Sequence, residues 1–152
     1  MLVLLLLASC KGRSSGPLVR DSFNKNDQGK VQNMDGKTRM GQVRIEKMNV
    51  KVVPCDGCIT IARLIENRKS LSGKIIKVKG QVTKYNPSIM GKNWVHIQDG
   101  TEFQGGFDLT ITTEEQVKVG ETAIIEGKLA LDKDFGYGYS YNVLLEEGKV
   151  VR

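Results

Sequence analysis

From Lys74 onward, apolar and polar positions alternate with period two, the pattern of strands that bury one face. In "KIIKVKGQVTKY", Ile76, Val78 and Val82 share one face, and Lys77, Lys79, Gln81 and Thr83 share the other. Gly80 interrupts the apolar row, which predicts a bend or bulge that lets a long strand curl. The alternation returns in "NWVHIQ", "FDLTITT", "TAIIEGKLALD" (with an internal Gly127) and "SYNVLLEE", giving five expected strands. Between them, "NPSIMGK", "DGTEFQGG" and "KDFGYGY" read as loops, and "TEEQVKVGE" as a short helical or turn connection. Ahead of the strands the period changes. Ile61, Leu64, Ile65, Arg68 and Leu71 fall at helical spacing, with Thr60 as N-cap and Ser72-Gly73 as the stop. Residues 43–53 alternate weakly and suit a short strand or an extended arm that Pro54 ends.

Five strands, bend-permitting glycines in the first and fourth, and a turn segment between the third and fourth suit a small Greek-key barrel of the OB-fold type. A five-stranded roll of SH3 type competes with it. The fold class expected is therefore mainly β, a five-stranded barrel preceded by a short amphipathic helix and a flexible N-terminal tail.

Composition adds the tail. The net charge of +6 points at first to nucleic acid or an anionic surface. Residues 59–152, however, hold 13 Lys+Arg against 12 Asp+Glu, whereas residues 11–58 hold 10 against 5. The basic character thus lies mostly ahead of the barrel. Residues 11–43 are polar, rich in Gly, Ser and Asn, and read as a flexible basic tether. The start, MLVLLLLASC, has seven apolar residues and then Leu7-Ala8-Ser9-Cys10, which resembles a bacterial lipobox. It is too short for the about 20 apolar residues of a transmembrane helix. The domain expectation is a lipoprotein signal over 1–10 ending at Cys10, a tether over 11–43, an arm over 44–58, and a helix plus barrel over 59–152. A lipid on Cys10 places the chain at the bacterial cell envelope, facing the periplasm or the exterior.

"KIIKVKGQV", "NWVHIQDGTE", "FDLTITT" and "VKVGETAIIEGKL" together resemble the tRNA-anticodon-binding type of OB domain. "NPSIMGKNWVHIQDG" with "LDKDFGYGYSY" is similar, more closely, to small bacterial envelope proteins described as OB-fold and nucleic-acid-binding. The resemblance implies that Trp94 stands where anticodon-binding domains stack a base, with His96 and Gln98 continuing its face. Gln98 departs from the arginine often found there. On this reading Lys77, Lys79 and Thr83 flank Trp94, and Tyr137 and Tyr139 join from the last loop. Base stacking contributes about 1–3 kcal/mol per base. The implied partner is a single-stranded nucleic acid or oligonucleotide. A peptide, glycan or envelope protein on the same face is the alternative, and Trp94 packed against the arm or the helix is the structural one. Asp132 and Asp134 in the last loop repel phosphate.

His96 is the single histidine and has no cysteine near it in sequence, so no metal site or catalytic set is expected from it. Cys55-Asp56-Gly57-Cys58 precedes the helix, a position that favours reactive thiolates. A haem attachment is excluded because Ile59 occupies the histidine position. A local Cys55–Cys58 disulfide pinning the helix start, or a pair of incidental thiols, is preferred over a thiol-redox or metal-handling role. No cofactor is expected, and the chain reads as a binding module.

Overall fold

The computed structural model describes residues 45–151. The lipobox with Cys10, the 11–43 tether and the first residue of the arm lie outside the described residues. Five strands form one ring: β1 (Ile75–Ile89), β2 (Lys92–Gln98), β3 (Leu109–Thr113), β4 (Thr122–Asp134) and β5 (Ser140–Val151). They close in the order β1-β2-β3-β5-β4, with β3 and β5 parallel and every other pair antiparallel. β1 serves both sides of the ring: residues 75–81 pair with β4 and residues 81–89 with β2. The chain turns over at Gly80, where an added Cβ would lie 3.1 Å from both the Gln98 carbonyl and Ile97. Gly127 does the same for β4. A Cβ there would meet the Glu146 carbonyl at 2.7 Å, at the register shift between Glu126 and Lys128.

The period-two reading of the interior holds. Val78, Val82, Val95, Ile97, Ile111 and Ile125 are buried in one core. Two short helices, α1 (Ile61–Glu66) and α2 (Arg68–Leu71), add Ile61 and Leu64 to it. The single three-turn helix expected over this stretch is broken at Asn67 (φ −99°, ψ 12°), whose side-chain amide donates to the Arg63 carbonyl at 2.9 Å. Asparagine competes locally with the helical ladder in this way. The 114–121 connection holds turns and no helix, and β1 runs on through Pro87 to Ile89 with a register shift that accommodates the missing N–H.

Each early amide of α1 finds an acceptor. The N–H of Ile61 donates to the Asp99 carboxylate (2.9 Å), that of Ala62 to the Thr101 hydroxyl (3.0 Å), and that of Arg63 to the Thr60 hydroxyl (3.3 Å). Thr60 is therefore the N-cap expected, but the Asp99-Gly100-Thr101 corner after β2 does as much of the capping. The arm before the helix is extended and forms no strand. Val52 N–H reaches the Asp99 carbonyl at 3.2 Å, and Ile59 N–H the Lys77 carbonyl at 2.9 Å. Gly100 (φ +89°) lies directly under the Val50 carbonyl, where no side chain would fit. Cys55 and Cys58 are joined in a disulfide with Cα atoms 5.1 Å apart, closing a turn at the end of the arm.

Candidate functional site

Trp94, His96 and Gln98 do share the outward face of β2, but that face is covered. Trp94 is only 4% exposed, and His96 and Gln98 are buried too. Two unrelated covers explain it. Over Gln98 lies the arm: the Gln98 Oε1 accepts from the Met48 N–H (2.9 Å), and its Nε2 donates to the Glu46 carbonyl (2.9 Å). Over Trp94 lie the β4–β5 loop and the start of β5. The indole stacks on Tyr141 (centroids 5.1 Å, planes at 30°) and meets Phe135 edge-on at 5.2 Å. Its Nε1 donates to the Ile89 carbonyl at the end of β1 at 2.9 Å, so the end of β1 and the β4–β5 hairpin meet over one ring.

Between these covers sits His96. Its Nδ1 pairs with Asp108 Oδ2 at 2.7 Å, and Asp108 Oδ1 accepts from Gln98 Nε2 at 3.3 Å. Register places Asp108 here. Trp94 faces Thr112 and His96 faces Thr110 across β2 and β3, so the same alternation carries Asp108 opposite Gln98. The His–Asp pair has the form of a base and its orienting carboxylate. Among the described residues, the one hydroxyl bonded to the ring is that of Thr110, 3.4 Å from the same Nδ1 that Asp108 holds. Among the described residues no hydroxyl or thiol is bonded to Nε2, and His96, Asp108 and Gln98 form one polar network that the arm joins at Gln98. Sequence reading missed Asp108, although its parity with Thr110 and Thr112 carried the signal.

The lysines do not assemble around Trp94. Lys77 and Lys79 lie opposite Glu126 and Ile124 of β4, on the other half of β1. A register shift at Thr83 turns Lys84 toward His96 and Asn86 toward Trp94, and the Thr83 hydroxyl is spent on the His96 carbonyl at 3.2 Å. Lys92 pairs with Glu114 at 2.6 Å, a bond that raises the ammonium pKa and lowers that of the carboxyl.

Tyr137 and Tyr139 behave otherwise. Tyr137 is 99% exposed and Tyr139 half-exposed, as are Ile89 at the end of β1 and Met90 just after it. Gly136, Tyr137 and Gly138 are all left-handed (φ 78°, 53° and 84°), which throws the Tyr137 ring outward from a turn closed by Phe135 N–H to the Tyr139 carbonyl at 2.9 Å. A tyrosine seldom adopts this backbone, and such strain gathers at binding loops. Beneath it, burial raises the Tyr141 phenol pKa above its ordinary value, and Tyr139 adds to the shift. The folded protein therefore keeps that proton longer than the unfolded chain does. Stability contributed at neutral pH falls as pH rises past about 10 toward the folded value. Urea midpoints across alkaline pH check this: Tyr141→Phe flattens the decline.

What the arrangement offers, then, is a packed aromatic cluster with exposed apolar side chains beside it, next to a polar network that the arm joins at Gln98. No protein-family model matches the chain, and no curated protein matches it, so this geometry alone carries the functional reading.

Proposed function

We propose that the barrel is an OB-fold binding module of the bacterial cell envelope, held there by a lipid on Cys10, and that it docks a protein partner through its β1–β2 and β4–β5 loops. The strand order β1-β2-β3-β5-β4, with its parallel β3–β5 pair and long curled β1, supports the OB-fold reading. Those two loops are the ones OB-folds use for ligands. The observation that carries the function is Tyr137, fully exposed on a strained loop whose base is locked by Trp94, Phe135 and Tyr141. A tyrosine offers a large contact area with only two side-chain torsions to order on binding, and such aromatics anchor protein interfaces.

Charge favours protein over nucleic acid at this end. Lys133 pairs with Glu146 at 3.0 Å and Lys92 with Glu114, while Asp132 and Asp134 flank the tyrosines. Stacking of a single-stranded oligonucleotide on Tyr137 and Tyr139 is the second reading, favoured by their two exposed rings.

The test separates binding from folding. Tyr137→Gly relieves the left-handed backbone, so stability stays level or rises by about 1 kcal/mol. Binding should nonetheless weaken about 30-fold, the loss of about 2 kcal/mol expected of an anchor. A photo-crosslinker at position 137 in cells should trap a discrete protein, and one at the exposed Glu121 should not. Failure to trap any protein, together with quenching of Trp94 emission by oligonucleotide, transfers the site to the second reading.

A further inference from the structure

The opposite side of the ring carries a surface that the aromatic end does not use. We infer that the outward face of β1, β4 and β5 lies against an anionic lipid surface, an orientation that rests on the envelope reading above. Lys77, Lys79, Lys128 and Lys149 all project outward here, in three adjacent strands. Register sets them in rows: Lys77 beside Glu126 beside Lys149, Lys79 beside Ile124 beside Val151, and Ile75 beside Lys128 beside Glu146. Lys77 is ion-paired with Glu126 at 3.8 Å and Lys149 lines a cleft with Lys92, Glu114, Glu115 and Glu147, whereas Lys79 and Lys128 have no ion pair among the described residues, Glu146 beside Lys128 being engaged by Lys133 at 3.0 Å.

Exposed apolar side chains stand in the same rows: Ile75 is 63% exposed and Val151 38%. A phosphate backbone has no use for these residues, whereas a lipid surface takes both. Ammonium groups meet the headgroup phosphates while the aliphatic residues and lysine stems enter the boundary beneath. The sheet face has no groove lined by aromatics to track a single strand, which separates it from a nucleic-acid channel. Lipid contact therefore fits its chemistry best.

The test uses the full chain as Cys10→Ser, so that no lipid masks the contact. An environment-sensitive thiol probe is placed at Val151→Cys, or for comparison at Tyr137→Cys, with Cys55 and Cys58 held in their disulfide. Vesicles of phosphatidylcholine with phosphatidylglycerol should shift the probe at 151 to the blue and leave the probe at 137 unchanged. Vesicles of phosphatidylcholine alone should shift neither. The joint variant Lys77→Gln, Lys79→Gln, Lys128→Gln, Lys149→Gln, with its melting curve unchanged, should weaken the response by about 600-fold, at about fivefold for each of the four lysines. Attraction through the basic tether alone would leave both probes silent and overturn the proposal. A shift at 151 with oligo-dT instead of vesicles would also overturn it. Palmitate labelling at Cys10 is scored separately: its absence removes the anchor, while the probe at 151 still judges the face.

Discussion

Trp94→Ala should lower the stability of the barrel by about 3–5 kcal/mol, the range for emptying a buried aromatic site. The indole packs on Tyr141 and Phe135, which also meet each other at 6.1 Å, and satisfies the Ile89 carbonyl, so its loss opens a cavity and strands an acceptor together. Trp94→Phe apportions the two effects. It keeps a ring in the stack and forfeits the N–H donor, and should cost about 1–2 kcal/mol. Urea unfolding followed by circular dichroism measures both, with the slope unchanged if the unfolded state is the same. A loss under about 1 kcal/mol for the alanine variant would show that the two loops hold themselves without the ring. The same variant separates platform from anchor, because Tyr137→Gly spares stability while Trp94→Ala cannot.

The second large effect is expected at Asp99. Its carboxylate accepts from the Ile61 N–H at 2.9 Å, and from the Thr101 N–H and hydroxyl at 2.9 and 2.7 Å. It is buried, so Asp99→Ala leaves three donors without a partner in a place water does not readily reach. Loss of a cap is worth about 1 kcal/mol, and a hydrogen bond to a charged group about 1.5–3. Together they predict a loss of about 3 kcal/mol. Asp99→Asn retains one oxygen acceptor and should fall between. Hydrogen exchange locates the damage: the amides of Ile61, Ala62 and Arg63 should lose protection first. If protection instead falls uniformly around the ring, Asp99 stabilises the barrel as a whole and not the helix start.

These two sites also mark what could be read from the chain and what could not. Alternation found the strands, because burying one face of a pleated sheet writes a period of two into the local sequence. Gly80 and Gly127 were legible as bends for an equally local reason, since each needs backbone without a side chain. The outward face of β2 was not legible. Trp94, His96 and Gln98 look like a solvent-facing set, yet their partners come from the arm some fifty residues earlier and the loop some forty later. Nothing in a strand's own period encodes a cover brought by distant chain. The placement of Lys77 and Lys79 away from Trp94 has a similar cause. Face parity along a strand ignores both the curl at Gly80 and the register shift at Thr83, and each resets which neighbour a side chain meets. The helix was half legible: Thr60 announced itself as a cap, whereas Asp99 and Thr101 reached it only through the fold.

The closed ring of strands has one more consequence, for how anything can attach to this molecule. Each strand has a neighbour on both sides of the ring, but β1 pairs with β4 only up to Gln81 and with β2 only from Gln81, and residues 129–134 of β4 pair with β5 alone. Backbone pairing with another chain is therefore limited to these short one-sided lengths. Elsewhere contacts are made with side chains, on loops or on the outside of the barrel, and selectivity is then written in residues that can change without disturbing the hydrogen-bonded frame.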